Sequence, residues 1–156
     1  MFKTIVVATD FSEFADAAID RACELARDGG ADLHVLHVVH SLFQEPWVGY
    51  ASADALATEI EREKIRARTL VEAALTKRGW KGHATIAVTA VNGTETAVQI
   101  VGYARDQHAD LVVCGTHGRS GIGRLMLGSV AEQVLRTAPC PVLTVNGSAV
   151  AAYVSR

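Results

Sequence analysis

An unbroken apolar run, Leu111-Val112-Val113-Cys114, leads directly into a stretch that holds Gly115, Gly118, Gly121, Gly123 and Gly128, and a helical pattern begins at its far end. A strand whose residues are apolar without alternation is covered on both faces, the condition of a parallel sheet flanked by helices. Beyond the glycines Val130, Val134, Leu135 and Ala138 recur at helical spacing, and Pro139 stops them. Glycines permit positive φ and close approach of the backbone to a ligand, and a helix opened by Gly128-Ser129 presents N–H groups that attract anions. Strand, loop and helix start therefore suit a phosphate. Two common glycine motifs do not fit. A Walker A frame from Gly118 to Gly123 continues with Arg124-Leu125, without the lysine and metal-binding hydroxyl. A dinucleotide fingerprint from Gly121-Ile122-Gly123 needs a third glycine where Met126 stands.

The rest of the chain repeats the strand and helix alternation. Lys3 to Thr9 reads as a first strand ending at Asp10, and Ser12 caps a helix with the stripe Phe14, Ala18, Ile19, Ala22, Leu25 and Ala26, ended by Gly29-Gly30. Leu33 to Val39 is a second strand. A long helix runs from Ser52-Ala53-Asp54 to Arg78-Gly79 with Leu56, Ile60, Lys64, Ala67 and Val71 along one face. His83 to Val91 is a third strand, Asn92-Gly93 a turn, and Thr94 the cap of a helix that points Ala97, Ile100, Val101 and Ala104 inward. After the glycine stretch and its helix, Pro141 to Val145 forms a fifth strand. This order predicts a single α/β domain with right-handed crossovers: a doubly wound, open, five-stranded, mostly parallel sheet with helices on both faces.

Asp10 falls at the carboxyl end of a parallel strand, the edge where open α/β sheets bind ligands. It serves either the turn or a metal that balances phosphate charge. His34, His37 and His40 recur every third residue, so His37 faces the opposite side of its strand from the other two and the three do not converge on a metal. Cys23, Cys114 and Cys140 are odd in number and far apart, which indicates neither a disulfide framework nor a zinc cage; Cys114 reads as core. Glu59, Glu61, Arg62, Glu63, Lys64, Arg66 and Arg68 read as a solvated surface of paired charges. The segment from 41 to 51, with Pro46, Trp47 and Gly49, is either a lid or a cover for the long helix. A formal charge of -2 supplies no cationic surface for nucleic acid or anionic membranes. No apolar run reaches membrane-spanning length, and Ile5-Val6-Val7-Ala8 is cut off by Asp10 with no cleavage pattern behind it, so a cytoplasmic protein is expected.

Gly115, two residues, Gly118, nine residues, then Gly128-Ser129 resembles the ATP-binding signature of the universal stress protein family. The resemblance extends over Val7-Ala8-Thr9-Asp10-Phe11-Ser12, over Asp110 to Gly121, and over Leu127 to Glu132 followed by Pro139-Cys140-Pro141-Val142-Leu143. It covers residues 2 to about 146 and leaves 147–156 as an apolar tail, either packed on a partner or frayed. It implies a Rossmann-like fold of the adenine nucleotide alpha hydrolase type, a domain over 1–146, and ATP with Mg²⁺ (or Mn²⁺) as ligand. By the same resemblance Ala8, Thr9 and Asp10 lie near adenosine and metal, with Asp10 the metal residue. Val38 and Val39 flank adenine, and Gly115, His117, Gly118, Arg119, Gly128, Ser129 and Val130 hold ribose and phosphates. It further implies a homodimer through Val142 to Val145 and a nucleotide-responsive stress or signalling role toward client proteins that the sequence does not name. Slow hydrolysis or autophosphorylation is an accessory expectation, since no residue is an evident base for water. The alternatives are a nucleotide-free interaction module of the same fold and a nucleotidyl transferase.

Overall fold

The computed structural model describes residues 1–40, 53–91, 96–117 and 127–147. The 41 to 51 segment, the Asn92-Gly93 turn, the Thr94 cap, Gly118, Arg119, Gly121, Gly123, Arg124 and the tail beyond Gly147 lie outside them. Five strands and four helices alternate: β1 (Thr4–Thr9), α1 (Glu13–Gly29), β2 (Asp32–His40), α2 (Ala53–Lys77), β3 (Ala84–Val91), α3 (Thr96–Asp106), β4 (Leu111–Gly115), α4 (Ser129–Thr137) and β5 (Val142–Val145). They form one sheet in the order β3-β2-β1-β4-β5, and every neighbouring pair is parallel.

The central strand explains the layering. Ile5, Val6 and Val7 are wholly buried. Because side chains alternate across a strand, Ile5 and Val7 join α1 together with Val71 and Leu75 of α2 on one face. Val6 joins Leu36, Ile100, Val101 and Val134 of α3 and α4 on the other. Each such aliphatic side chain contributes about 2 kcal/mol by leaving water. Helix α1 starts where the Ser12 side chain accepts from the Ala15 N–H, and it ends at Gly30, whose φ of 65° is left-handed. Its buried face holds Ala15, Ala17, Ala18, Ala22 and Ala26 around Ile19 and Cys23; Phe14 and Leu25 of the expected stripe are only half-buried. Small residues let this helix lie close on the sheet.

The last helix corrects an expectation. Of the apolar residues at helical spacing in α4, Val134 is buried but Val130 and Leu135 stay exposed at 38% and 44%. The stripe that meets the sheet is Ala131 and Val134, with Ala138 half-buried behind it. A helix of nine residues laid on the sheet rim turns only one narrow stripe inward.

Candidate functional site

The carboxyl ends of β1, β2 and β4, the first turn of α4 and parts of α2 and α3 enclose a cavity of about 520 Å³, within the range of small-molecule sites. From β1 the chain runs outward to β2 and β3, then crosses to β4 on the opposite side. The crevice above such a reversal is where open parallel sheets take ligands.

At the mouth of β1 three side chains shape the turn into α1. Thr9 Oγ1 accepts the Phe11 N–H at 3.1 Å, Asp10 Oδ1 accepts the Ser12 N–H at 3.0 Å, and Ser12 Oγ accepts the Ala15 N–H at 3.3 Å. They hold Phe11 at φ 63°, a left-handed conformation that costs a residue with a side chain about 1 kcal/mol. Asp10 thus acts in the turn while its residue lines the cavity. Ala8, Thr9, Val38 and Val39 stand in the same wall. The order and parallel pairing of β1 and β2, with Ala8 beside Leu36, bring those ends together.

Gly115, His117, Gly128, Ser129 and Val130 form the opposite wall. The two glycines are not there for positive φ, contrary to the expectation from the sequence; among the described glycines that conformation occurs at Gly30 and Gly79. Gly128 has φ -63° and ψ 149°. What both supply is space. A Cβ on Gly115 would stand 2.9 Å from the carbonyl carbon and the Cβ of Phe14, so the missing side chain lets α1 approach β4. A Cβ on Gly128 would stand 3.2 Å from the Thr116 carbonyl oxygen. As N-cap of α4, Gly128 brings no side-chain bond to the first turn, so no cap side chain covers the N–H groups that face the cavity end. The Gly128 N–H donates to the Thr116 carbonyl at 2.8 Å, and the Thr116 N–H to the Val145 carbonyl at 2.9 Å. His117 Nδ1 lies 3.0 Å from Thr116 Oγ1, with its ring 5.0 Å from that of Phe14.

Several wall residues escaped the sequence reading, among them Leu36, His37, Glu59, Ile60, Glu63, Thr96, Ile100 and Thr116. His37 Nδ1 donates to the Thr9 carbonyl at 2.8 Å, and a carbonyl only accepts, so the ring carries its proton on Nδ1. The ring also lies 4.6 Å from that of Phe11. His34 faces α3 instead, 2.9 Å from the Tyr103 hydroxyl, with burial holding its pKa down. The expected separation of these two histidines onto opposite faces is what the structure has. Cys114 is buried core, and desolvation pushes its thiol up to about 11. The charges of α2 do pair, Arg62 with Glu59 at 3.3 Å, Lys64 with Glu61 at 2.7 Å and Arg66 with Glu63 at 3.6 Å. Glu59 and Glu63, however, also line the cavity, which a reading as plain solvated surface missed. The signal was present in the inward stripe of Val71 and Ala67: carried back in steps of four, it reaches Glu63 and then Glu59.

Asp10, Glu59 and Glu63 are the carboxylates of the described wall, and among the described residues no three His, Cys, Asp or Glu side chains gather as a ready-made metal cage. No described helix is long and apolar enough to cross a membrane.

Residues 1–146 match the model of the universal stress protein family. The chain is 34% identical over 153 residues to universal stress protein YxiE of Bacillus subtilis, covering 94% of this chain and all of that one. Among solved structures it is similar to the universal stress protein of Archaeoglobus fulgidus in complex with dAMP, with a TM-score of 0.63, 25% identity, and 92% and 97% of the two chains covered. A universal stress protein in complex with cAMP gives a TM-score of 0.61 and 27% identity over 94% and 98% of the chains. With its parallel sheet, its crevice and these relatives agreeing over nearly the full length, the chain belongs to the universal stress protein family.

Proposed function

We propose that this protein binds an adenine nucleotide, ATP with Mg²⁺ (or Mn²⁺), in the cavity at the carboxyl edge of the sheet, and that occupancy acts through a homodimer in stress or signalling. The observation that carries the reading is the cavity itself, apolar at Ala8, Val38, Val39 and Ile100 and ending at the first turn of α4. An apolar slot takes a purine, and a helix start takes phosphate. Relatives solved with dAMP and cAMP support the same ligand class. Gly118 and Arg119, outside the described residues, are proposed to complete the phosphate end with His117, Gly128, Ser129 and Val130.

Asp10 fits a metal that comes with the nucleotide. With no three-ligand cage among the described residues, a cation beside Asp10 would complete its shell from phosphate oxygens and water, the habit of Mg²⁺. Bound there, it would neutralise phosphate charge. The role of this chain is to bind and orient the nucleotide; turnover by slow hydrolysis or autophosphorylation is accessory.

The dimer reading rests on β5, an edge strand with Val142, Leu143 and Thr144 only half-buried. An unpaired edge is stabilised by pairing with a second copy. The bonds from Gly128 to Thr116 and from Thr116 to Val145 link the phosphate end of the cavity to this strand. Clients, and a cytoplasmic setting, complete the proposal.

The test is to denature freshly purified protein and weigh what it releases, then to titrate it with ATP, ADP, AMP and cyclic AMP, with and without Mg²⁺. Release or binding of adenine nucleotide is expected. No release and no binding of any of the four would replace the reading with a nucleotide-free interaction module. Asp10→Asn is expected to lose Mg²⁺ dependence more than metal-free affinity; equal losses would assign Asp10 to the turn alone.

A further inference from the structure

The cavity has two ends of opposite electrostatic character. Helix α4 packs on the same sheet face as α3, and its first turn, with Gly128 and Ser129, forms one end. Helix α2 packs on the other face, over β2 and β3, and brings Glu59 and Glu63 to the far end. The two lie diagonally across the carboxyl edge of β1. An α-helix start favours anions, whereas ionised carboxylates only accept hydrogen bonds and repel anions. The charge of the two glutamates is only weakly offset, because their partners Arg62 and Arg66 are on the same exposed helix surface at 3.3 and 3.6 Å with side chains 72% exposed, and ion pairs in water attenuate only weakly. No lysine or arginine stands among the described lining residues to offset them.

We propose that Glu59 and Glu63 are specificity-determining residues of the cavity, admitting nucleotides with anionic groups at one end only and rejecting those with a second phosphate directed toward α2. The inference rests on the nucleotide reading above. The accepted class is the nucleoside 5′-phosphates, whose far side offers hydroxyl and amino donors. Adenosine 3′,5′-bisphosphate and adenosine 2′,5′-bisphosphate belong to the rejected class.

The test measures equilibrium affinities of 5′-AMP and of both bisphosphates for the wild-type chain, for Glu59→Gln with Glu63→Gln, and for Glu61→Gln with Glu72→Gln. The last pair removes the same charge from α2 outside the cavity wall. The wild type is expected to bind the bisphosphates roughly tenfold more weakly than 5′-AMP. The Glu59/Glu63 double variant is expected to close most of that gap, read as the ratio of bisphosphate to 5′-AMP affinity, and the control pair to leave it in place. An unchanged ratio in the Glu59/Glu63 variant, an equal relaxation in the control pair, or a wild type without preference overturns this inference while leaving nucleotide binding intact. Failure of all three ligands to bind the wild type overturns this inference, and the nucleotide reading falls with it only if Mg-ATP also fails to bind.

Discussion

A methyl group on Gly115 would press against the backbone and Cβ of Phe14 at 2.9 Å, whereas one on Gly128 would meet a single carbonyl oxygen at 3.2 Å. The same residue type therefore answers to two needs, helix packing at one position and close approach of the Thr116 and His117 backbone at the other. Gly115→Ala should destabilise the fold by about 2 kcal/mol, read from urea denaturation, because α1 must move to accept it. Gly128→Val should leave a folded protein that has lost nucleotide affinity; retained affinity would remove Gly128 from the phosphate end. Cys114 has a different consequence. Burial raises its thiol from 9.0 to about 11, so its contribution to stability is intact below pH 9 and is lost as pH rises through about 11. Cys114→Ala should flatten the alkaline limb of a stability profile over that interval by on the order of 2 kcal/mol. An alkaline limb of unchanged steepness would assign the loss to other groups.

Between elements, the α1 and α2 helices are clasped by Arg78, whose side chain is only 9% exposed. It reaches Asp16 Oδ1 at 2.8 Å, Asp20 Oδ1 at 2.5 Å and the Ala74 and Asp16 carbonyls at 2.9 Å. The aspartates remain 49% and 38% exposed, so solvent compensates part of the loss. Arg78→Ala should cost about 2 kcal/mol in chemical denaturation, and Arg78→Lys should recover less than half, since an ammonium cannot span all these acceptors. Full recovery by lysine would reduce the clasp to simple charge. The elements themselves were legible because β1 and β4 are continuous apolar runs, Ser12 and Gly30 carry their cap chemistry, and Pro139 ends α4. Which side of α4 meets the sheet was not legible. Val130 and Ala131 are adjacent, and only the resting angle of a short helix on the rim decides between them. Glu59 and Glu63 were obscured for a related reason: their i,i+3 arginines mark an exposed surface, while their sharing of a cavity wall with His37 and Thr9 is a tertiary fact.

For the molecule as a whole, the strand order places β1 at the centre, so its Thr9-Asp10 end is reached from both sheet faces and from both halves of the chain. The position of the cavity was readable from the sequence for that reason, and the diagonal opposition of α2 and α4 across it was not, since it depends on which face each crossover takes. At this scale the proposed pairing of β5 with a second copy predicts that Leu143→Pro or Thr144→Pro, whichever turns its N–H outward, yields folded monomer in sedimentation; a wild-type chain that is monomeric at high micromolar concentration with and without ATP would contradict it. The proposed ligand of the cavity between β1, β2, β4 and α4 is an adenine nucleotide. The most direct test is the equilibrium affinity of Mg-ATP for the wild-type chain beside that for Gly128→Val, both verified as folded by circular dichroism. Saturable binding to the wild type and its loss in the variant are expected. Equal affinities in the two proteins, or no binding to the wild type, would contradict it.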